Sequence, residues 1–218
     1  MNSEKARARL DELISLAPVV PVITIEKVAD AVPMARALVR GGLRVIEITL
    51  RTNAAPEAAR AILAEVPEAL VGLGTVLTPD DLDRAVAIGA AFAISPGVSL
   101  ELLHAASALG IAFAPGIQTP SDLIACVSRG FELVKFFPAV AAGGIAALHA
   151  LSGPFPNVRY CPTGGIKEAD AAQWLAQPMV AAVGGSWIAP ASDVRAGAWA
   201  LIEERARIAA ALPRRSKS

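Results

Sequence analysis

The sequence predicts an α/β protein, a closed (β/α)8 TIM barrel with an additional N-terminal helix. Three observations point there. Short apolar, β-branched runs alternate with longer Ala/Leu-rich segments along the whole chain. The short runs are apolar nearly throughout, as expected of parallel strands covered on both faces. Eight such strand–helix units follow one another at intervals of roughly 20 to 25 residues, a spacing that suits βα crossovers. With no long insertion among them, closure into a barrel is favoured over an open doubly wound sheet. The chain has 218 residues, 54% of them hydrophobic and 18% charged. That composition suits one domain, residues 1–218, with a sizeable core, and differs from that of a disordered chain.

In order, a helix over 4–16 precedes the first strand, 19–25. A helix over 28–40 closes at Gly41-Gly42. The second strand, 44–50, is followed by a helix over 56–66, and the third, 70–76, by a helix opened by Thr78-Pro79-Asp80-Asp81. Thr78 has the chemistry of an N-cap, and Pro79 suits the first helical position. Strand 92–95 leads to helix 100–109, and strand 111–114 to a helix opened by Thr119-Pro120-Ser121-Asp122 that stops before Gly130. Strand 133–137, a short helix over 145–151, strand 158–161, a helix over 167–176, strand 179–183 and a helix over 193–212 complete the series.

Composition narrows the function. Twenty Lys+Arg balance twenty Asp+Glu. A neutral chain without a basic cluster argues against nucleic acid as a partner. The N-terminal segment 1–10 is charged and lacks the apolar core of a signal peptide. No apolar run reaches the ~18 residues of a membrane span, so no membrane association and a cytoplasmic location are expected. Two cysteines, Cys126 and Cys161, make neither a disulfide scaffold nor a four-cysteine zinc site. With His104 and His149 they lack metal-ligand spacing, and no metal is expected. No G-x-G-x-x-G follows the first strand, which weakens a dinucleotide reading.

In a barrel, chemistry belongs at the C-terminal ends of the strands. Of five lysines, Lys135 alone lies inside an apolar strand, Leu133-Val134-Lys135-Phe136-Phe137. Burial disfavours the charged ammonium, and a neutral amine can attack a ketone to form a Schiff base. A snorkelling lysine, or one paired with a carboxylate at the barrel mouth, explains the position equally well. Glu47 is the second anomaly, a carboxylate in Val45-Ile46-Glu47-Ile48-Thr49-Leu50-Arg51. Period-two alternation places Val45, Glu47, Thr49 and Arg51 on one face. Arg51 offers a fork for a carboxylate; a Glu47–Arg51 ion pair serving only the fold is the alternative. Thr75 follows Gly72-Leu73-Gly74, where a close approach to the backbone is possible.

A third cluster suits an anion. Cys161-Pro162-Thr163-Gly164-Gly165-Ile166 ends the seventh strand and Val183-Gly184-Gly185-Ser186-Trp187 the eighth. Glycine-rich turns there expose backbone N–H groups, and barrels frequently bind phosphate at these two ends. Ser95-Pro96-Gly97 and Pro115-Gly116 shape the mouth or serve as turns. The segment Pro213-Arg214-Arg215-Ser216-Lys217 reads as a frayed, solvated end.

Seven segments, Pro18-Val19-Val20-Pro21-Val22-Ile23, Glu47-Ile48-Thr49-Leu50-Arg51-Thr52, Gly72-Leu73-Gly74-Thr75-Val76, Phe92-Ala93-Ile94-Ser95-Pro96-Gly97, Val134-Lys135-Phe136-Phe137-Pro138-Ala139, Cys161-Pro162-Thr163-Gly164-Gly165-Ile166 and Gly184-Gly185-Ser186-Trp187, occur in the order of one family. Over about residues 10–200 the chain resembles the class I aldolases for 2-keto-3-deoxy-6-phosphogluconate and 4-hydroxy-2-oxoglutarate. The resemblance implies a barrel that assembles as a homotrimer, needs no metal or organic cofactor and acts on a phosphorylated keto acid. It implies Lys135 as the Schiff-base lysine and Glu47 as the acid/base carboxylate. Arg51 and Thr75 would hold the pyruvate carboxylate, with Phe137 packing near the pyruvyl group and Pro96 also at the substrate. Thr163 would lie near the hydroxylated chain, and Gly164, Gly165, Gly185 and Ser186 at the phosphate. Phosphogalactonate aldolases, the nearest alternative, tend to carry an apolar residue where Thr163 stands, which favours the gluconate epimer. Val140 departs from the acid that often follows Phe-Pro-Ala in the family. A phosphate-binding barrel isomerase or epimerase, using paired acids, is the alternative from another class.

Overall fold

The computed structural model describes residues 3–214. Helix α1 (Ser3–Ser15) leads into β1 (Val19–Ile23), and a 3-10 turn (Val28–Asp30) opens α2 (Ala31–Arg40). Then come β2 (Val45–Thr49), α3 (Ala55–Glu65), β3 (Leu70–Gly74), α4 (Pro79–Ile88), β4 (Phe92–Ile94) and α5 (Leu100–Leu109). The alternation continues through β5 (Phe113–Ala114), β6 (Gly116–Ile117), α6 (Pro120–Val127), β7 (Leu133–Phe136), α7 (Gly144–Ser152), β8 (Arg159–Pro162) and α8 (Glu168–Leu175). It ends with β9 (Val183–Gly185), α9 (Ala191–Arg195) and α10 (Trp199–Ala210). The openings of α4 and α6 are full capping boxes, Thr78 with Asp81 and Thr119 with Asp122, each with proline in the first turn.

Every strand pair is parallel. The strands form a six-stranded sheet, β5-β4-β3-β2-β1-β9, and a three-stranded sheet, β6-β7-β8. The fifth strand, predicted over 111–114, forms at Phe113–Ala114 and is followed past Pro115 by a second segment, Gly116–Ile117, where a turn was expected. Pro115, which has no N–H, divides them: β5 pairs with β4, whereas β6 pairs with β7. On the other side, β8 and β9 meet through the isolated parallel bridges Tyr160↔Val180 and Thr163↔Gly184. The last strand forms at Val183–Gly185 rather than over 179–183, because its ladder partner is Val19–Pro21 of β1. The predicted helix over 193–212 is also two helices. Gly197, at φ +65, breaks it in the left-handed region.

Two apolar clusters record the alternation along the strands. Val20, Val45, Phe92, Ile94, Ala112, Ala114, Leu133, Cys161 and Ala182 share an inner cluster drawn from both sheets. Their neighbours Val19, Ile46, Ala93, Phe113, Val134, Tyr160 and Val183 join the larger cluster with the helices. Leu10, Leu13 and Ile14 of α1 belong to the inner cluster, so α1 covers the interior at the N-terminal ends of the strands. Arg214 corrects the expectation of a frayed end: its guanidinium donates to the carbonyls of Ile14, Ser15 and Ala17, capping the C-terminus of α1. The rest of that tail, 215–217, lies outside the described residues.

Candidate active site

Glu47, Thr49, Ser95, Lys135 and Thr163 are buried among the described residues, and all lie toward or just past the C-terminal ends of strands. Lys135 has the strand parity of Leu133, and Glu47 that of Val45, so both point inward. There they meet. Lys135 Nζ donates to Glu47 Oε1 at 3.0 Å, with the residues 3% and 1% exposed. The Lys135 ammonium also lies 5.4 Å from the centre of the Phe137 ring, a cation–π distance. The partner of Glu47 is thus Lys135, while Arg51 turns elsewhere.

Arg51 lies beyond the end of β2 and is exposed, so it leaves the alternation predicted for it. Its Nε donates to Thr75 Oγ1 at 3.2 Å. Thr75 adopts φ +58, the only non-glycine residue with positive φ among those described. Such a conformation costs a β-branched residue on the order of 1–3 kcal/mol and concentrates at functional positions. Together with Leu50, Thr52, Asn53, Pro56 and Arg84, Arg51 lines an open hollow of about 440 Å³. Two guanidinium groups thus border the same opening. The Thr49 hydroxyl donates to the Ile23 carbonyl at 2.9 Å and lies 3.1 Å from Thr24 Oγ1, which fastens β2 to β1 next to Glu47.

Gly74 has a steric task. A Cβ there would lie 2.1 Å from Glu47 Oε1, so the carboxylate rests directly on its backbone. Gly184 does the same for Thr163: a Cβ would stand 2.1 Å from Thr163 Oγ1. That hydroxyl donates to the Cys161 carbonyl at 3.3 Å. Gly164 and Gly165 follow at φ +100 and +80, a conformation open to glycine. Gly164 packs beside the Phe137 ring, Gly165 and Ser186 are exposed, and Gly185 is buried beneath the Trp187 indole. Thr163 and Gly184 form a parallel bridge, so the two glycine-rich ends lie side by side. Pro96 is half-buried in the turn after β4. Its carbonyl carbon would lie 2.3 Å from a Cβ on Gly116.

The remaining nucleophiles are quiet. Burial pushes the Cys161 thiol up to about 12, with Lys135 drawing it down and Glu47 pushing it up. It stays a thiol beside the amine. Burial, then Asp122, pushes Cys126 up to about 12 as well. His104 and His149 are exposed on α5 and α7, and His149 Nε2 lies 2.7 Å from Gln177 Oε1. Ser95 and the φ of Thr75 are the features that the sequence did not disclose.

A buried lysine against a carboxylate, an exposed guanidinium nearby and two glycine-rich strand ends side by side form a recognisable set. Residues 10–205 match the family model of KDPG and KHG aldolase. The chain belongs to the KDPG and KHG aldolase family. It is 50% identical to the KHG/KDPG aldolase of Escherichia coli (strain K12) over 197 residues, 90% of this chain and 92% of that one. It is similar to the crystal structure of the 2-keto-3-deoxy-6-phosphogluconate aldolase of Zymomonas mobilis ZM4 with 3-phosphoglycerate. The TM-score is 0.90 and the identity 44%, covering 95% of this chain and 98% of that one. It is equally similar to KDPG aldolase from Legionella pneumophila with pyruvate captured at low pH as a covalent carbinolamine. There the TM-score is 0.90 and the identity 44%, with 93% and 98% covered.

Proposed function

We propose that this aldolase-family enzyme cleaves 2-keto-3-deoxy-6-phosphogluconate to pyruvate and glyceraldehyde 3-phosphate through a Schiff base on Lys135. The observation that carries the reading is the 3.0 Å contact between Lys135 Nζ and Glu47 Oε1, shielded from solvent. A proton passed from ammonium to carboxylate within that contact leaves a neutral amine and a carboxylic acid, with the net charge of the pair unchanged. The amine adds to the C2 carbonyl; Glu47 then gives its proton to the departing hydroxyl, so that water leaves, an iminium forms and Glu47 is again a carboxylate. Glu47, as carboxylate, takes the C4 hydroxyl proton directly or by way of a water. The C3–C4 bond breaks, its electron pair passes into the enamine, and glyceraldehyde 3-phosphate leaves. The enamine takes a proton at C3, and water hydrolyses the resulting iminium, which releases pyruvate and restores the amine.

In this reading Arg51, held by Thr75, binds the keto-acid carboxylate, and Phe137 and Pro96 wall the pyruvyl group. Thr163 contacts the hydroxylated chain. Gly164, Gly165, Gly185 and Ser186 hold the phosphate through backbone N–H groups and a hydroxyl, and this remote anchor orients the reacting bond. The fold in this reading is a closed (β/α)8 barrel over residues 1–218. Its support is the bridges joining β8 to β9 and a Lys135–Glu47 contact that spans the two sheets. The name of the Escherichia coli relative supports a second substrate, 4-hydroxy-2-oxoglutarate, cleaved to pyruvate and glyoxylate by the same steps. A homotrimer is also part of the proposal: Val86, Leu100, Ile124 and Val127 expose apolar side chains on the consecutive helices α4, α5 and α6. A phosphorylated sugar-acid substrate suits a cytoplasmic enzyme.

The test is borohydride reduction in the presence of pyruvate, followed by intact mass and peptide mapping. A reduced pyruvyl adduct on Lys135 is expected. An adduct on another residue, or no adduct with activity surviving the treatment, rejects the assignment.

A further inference from the structure

The mechanism above does not use Ser95, yet this fully buried hydroxyl ties together parts that the reaction needs in register. Strand β4 ends at Ile94. The Ser95 N–H still reaches the Ala114 carbonyl at 3.2 Å, but Pro96 follows and has no N–H to extend the ladder. Pro115 interrupts the facing strand in the same way. The Ser95 side chain takes over where both backbones stop. Its Oγ accepts the Gly116 N–H at 3.1 Å and donates to the Gly97 carbonyl at 2.6 Å. Gly116 is the register partner of Lys135, whose own N–H donates to the Pro115 carbonyl at 2.9 Å. One hydroxyl therefore links the Pro96–Gly97 turn, the end of β4 and the strand beside Lys135.

We infer that Ser95 is a positioning residue for the aldol cleavage. It stitches the six-stranded sheet, which carries Glu47, to the three-stranded sheet, which carries Lys135, and so sets the distance across which the proton moves. The inference rests on the Schiff-base reading of Lys135. Without the hydroxyl, the Gly116 N–H loses its partner in a buried place and the β4–β6 seam loosens. Arg51 and the glycine-rich anion end lie on other strands and keep their geometry.

The test compares Ser95→Ala with Ile62→Val, a core truncation between α3 and the sheet, at a temperature where circular dichroism shows both fully folded. Ser95→Ala should lower kcat about tenfold, the scale of a sub-ångström misplacement of reacting groups, and slow trapping of pyruvate by borohydride to match. KM should change less than about twofold, and Ile62→Val should keep both constants. Wild-type kcat in folded Ser95→Ala, or an equal fall in Ile62→Val, overturns the positioning role. If Ser95→Ala does not fold, Ser95→Cys decides: the same size with a weak hydrogen-bonding group should still lower kcat, and wild-type kcat overturns the proposal. Failure of the wild-type protein to trap pyruvate would instead reject the Schiff-base reading and this inference with it.

Discussion

Lys135 Nζ and Glu47 Oε1 stand 3.0 Å apart across 88 residues of sequence, each on the inner face of a different sheet. In the proposed mechanism the contact would divide the labour of the reaction between an amine that binds carbon and a carboxylate that moves protons. Lys135→Ala should abolish both turnover and the reduced adduct. Glu47→Gln should still form the imine while kcat falls by roughly 10²–10⁴, the usual contribution of general acid–base catalysis. Single-turnover trapping beside steady-state kinetics separates the two, and normal turnover in Glu47→Gln would assign the proton transfers elsewhere.

Gly74 supports that carboxylate from below. Gly74→Ala forces a methyl group to within 2.1 Å of Glu47 Oε1 unless something shifts. Since the neighbour is the end of a side chain, the carboxylate should swing away from Lys135 while the fold survives. The expected result is a kcat at least about tenfold lower with imine formation retained, as a displacement near 1 Å implies. A Gly74→Ala enzyme with full kcat would show that the position of Glu47 is not critical.

Thr75 combines strain with a hydrogen bond to Arg51. Thr75→Gly relieves the backbone and deletes the hydroxyl, so the two roles should separate. Thermal stability should stay level or rise, whereas KM for pyruvate in the reverse, aldol direction should increase about tenfold, the scale of losing one charge-assisted hydrogen bond. Arg51→Lys should raise KM similarly, because an ammonium cannot reproduce the planar fork. Lower stability with unchanged KM in Thr75→Gly would make Thr75 a purely structural residue.

Alkaline stability follows from three buried groups. Burial pushes Cys126 and Cys161 from 9.0, and Tyr160 from 10.0, up to about 12. Above pH 9 the unfolded chain begins to release these protons while the folded chain keeps them. The native state therefore binds more protons, and stability falls as pH rises. The stabilisation should be complete below pH 9 and lost progressively between about 9 and 12. Urea unfolding at stepped pH measures it, and Cys126→Ala should flatten part of the slope. Both thiols should resist alkylation at pH 8 until the protein unfolds; rapid labelling of the native state would contradict the burial.

Much of this site was legible in the sequence because a charge inside an apolar strand must be explained. Lys135 and Glu47 stood out on that ground, and period-two alternation gave them their common face with Leu133 and Val45. Their pairing was legible only as one of two readings: Lys135 against a carboxylate at the barrel mouth, or Glu47 against Arg51. Arg51, four residues from Glu47, was an equally good partner on paper, and only the closing of the sheets brings Lys135 nearer. The φ of Thr75 escaped because a β-branched residue disfavours that region, and the packing around it overrides the preference.

The boundaries failed where local pattern and tertiary context disagree. An Ala-rich segment keeps helical periodicity through Gly197, and a single left-handed residue splits it. Pro115-Gly116 read as a turn after strand 111–114, yet Gly116–Ile117 resumes as a strand because β7 offers it a new partner. Arg214 looked like a solvated terminus because its partners, the last carbonyls of α1, lie about 200 residues away.

Helix α1 seals one end of the interior with Leu10, Leu13 and Ile14. The floor beneath Lys135 and Glu47 is therefore hydrocarbon, and the exposed Gly165 and Ser186 lie toward the opposite ends of the strands. In the proposed reaction both fragments would have to leave on that opposite side, so architecture as well as chemistry would bear on their departure.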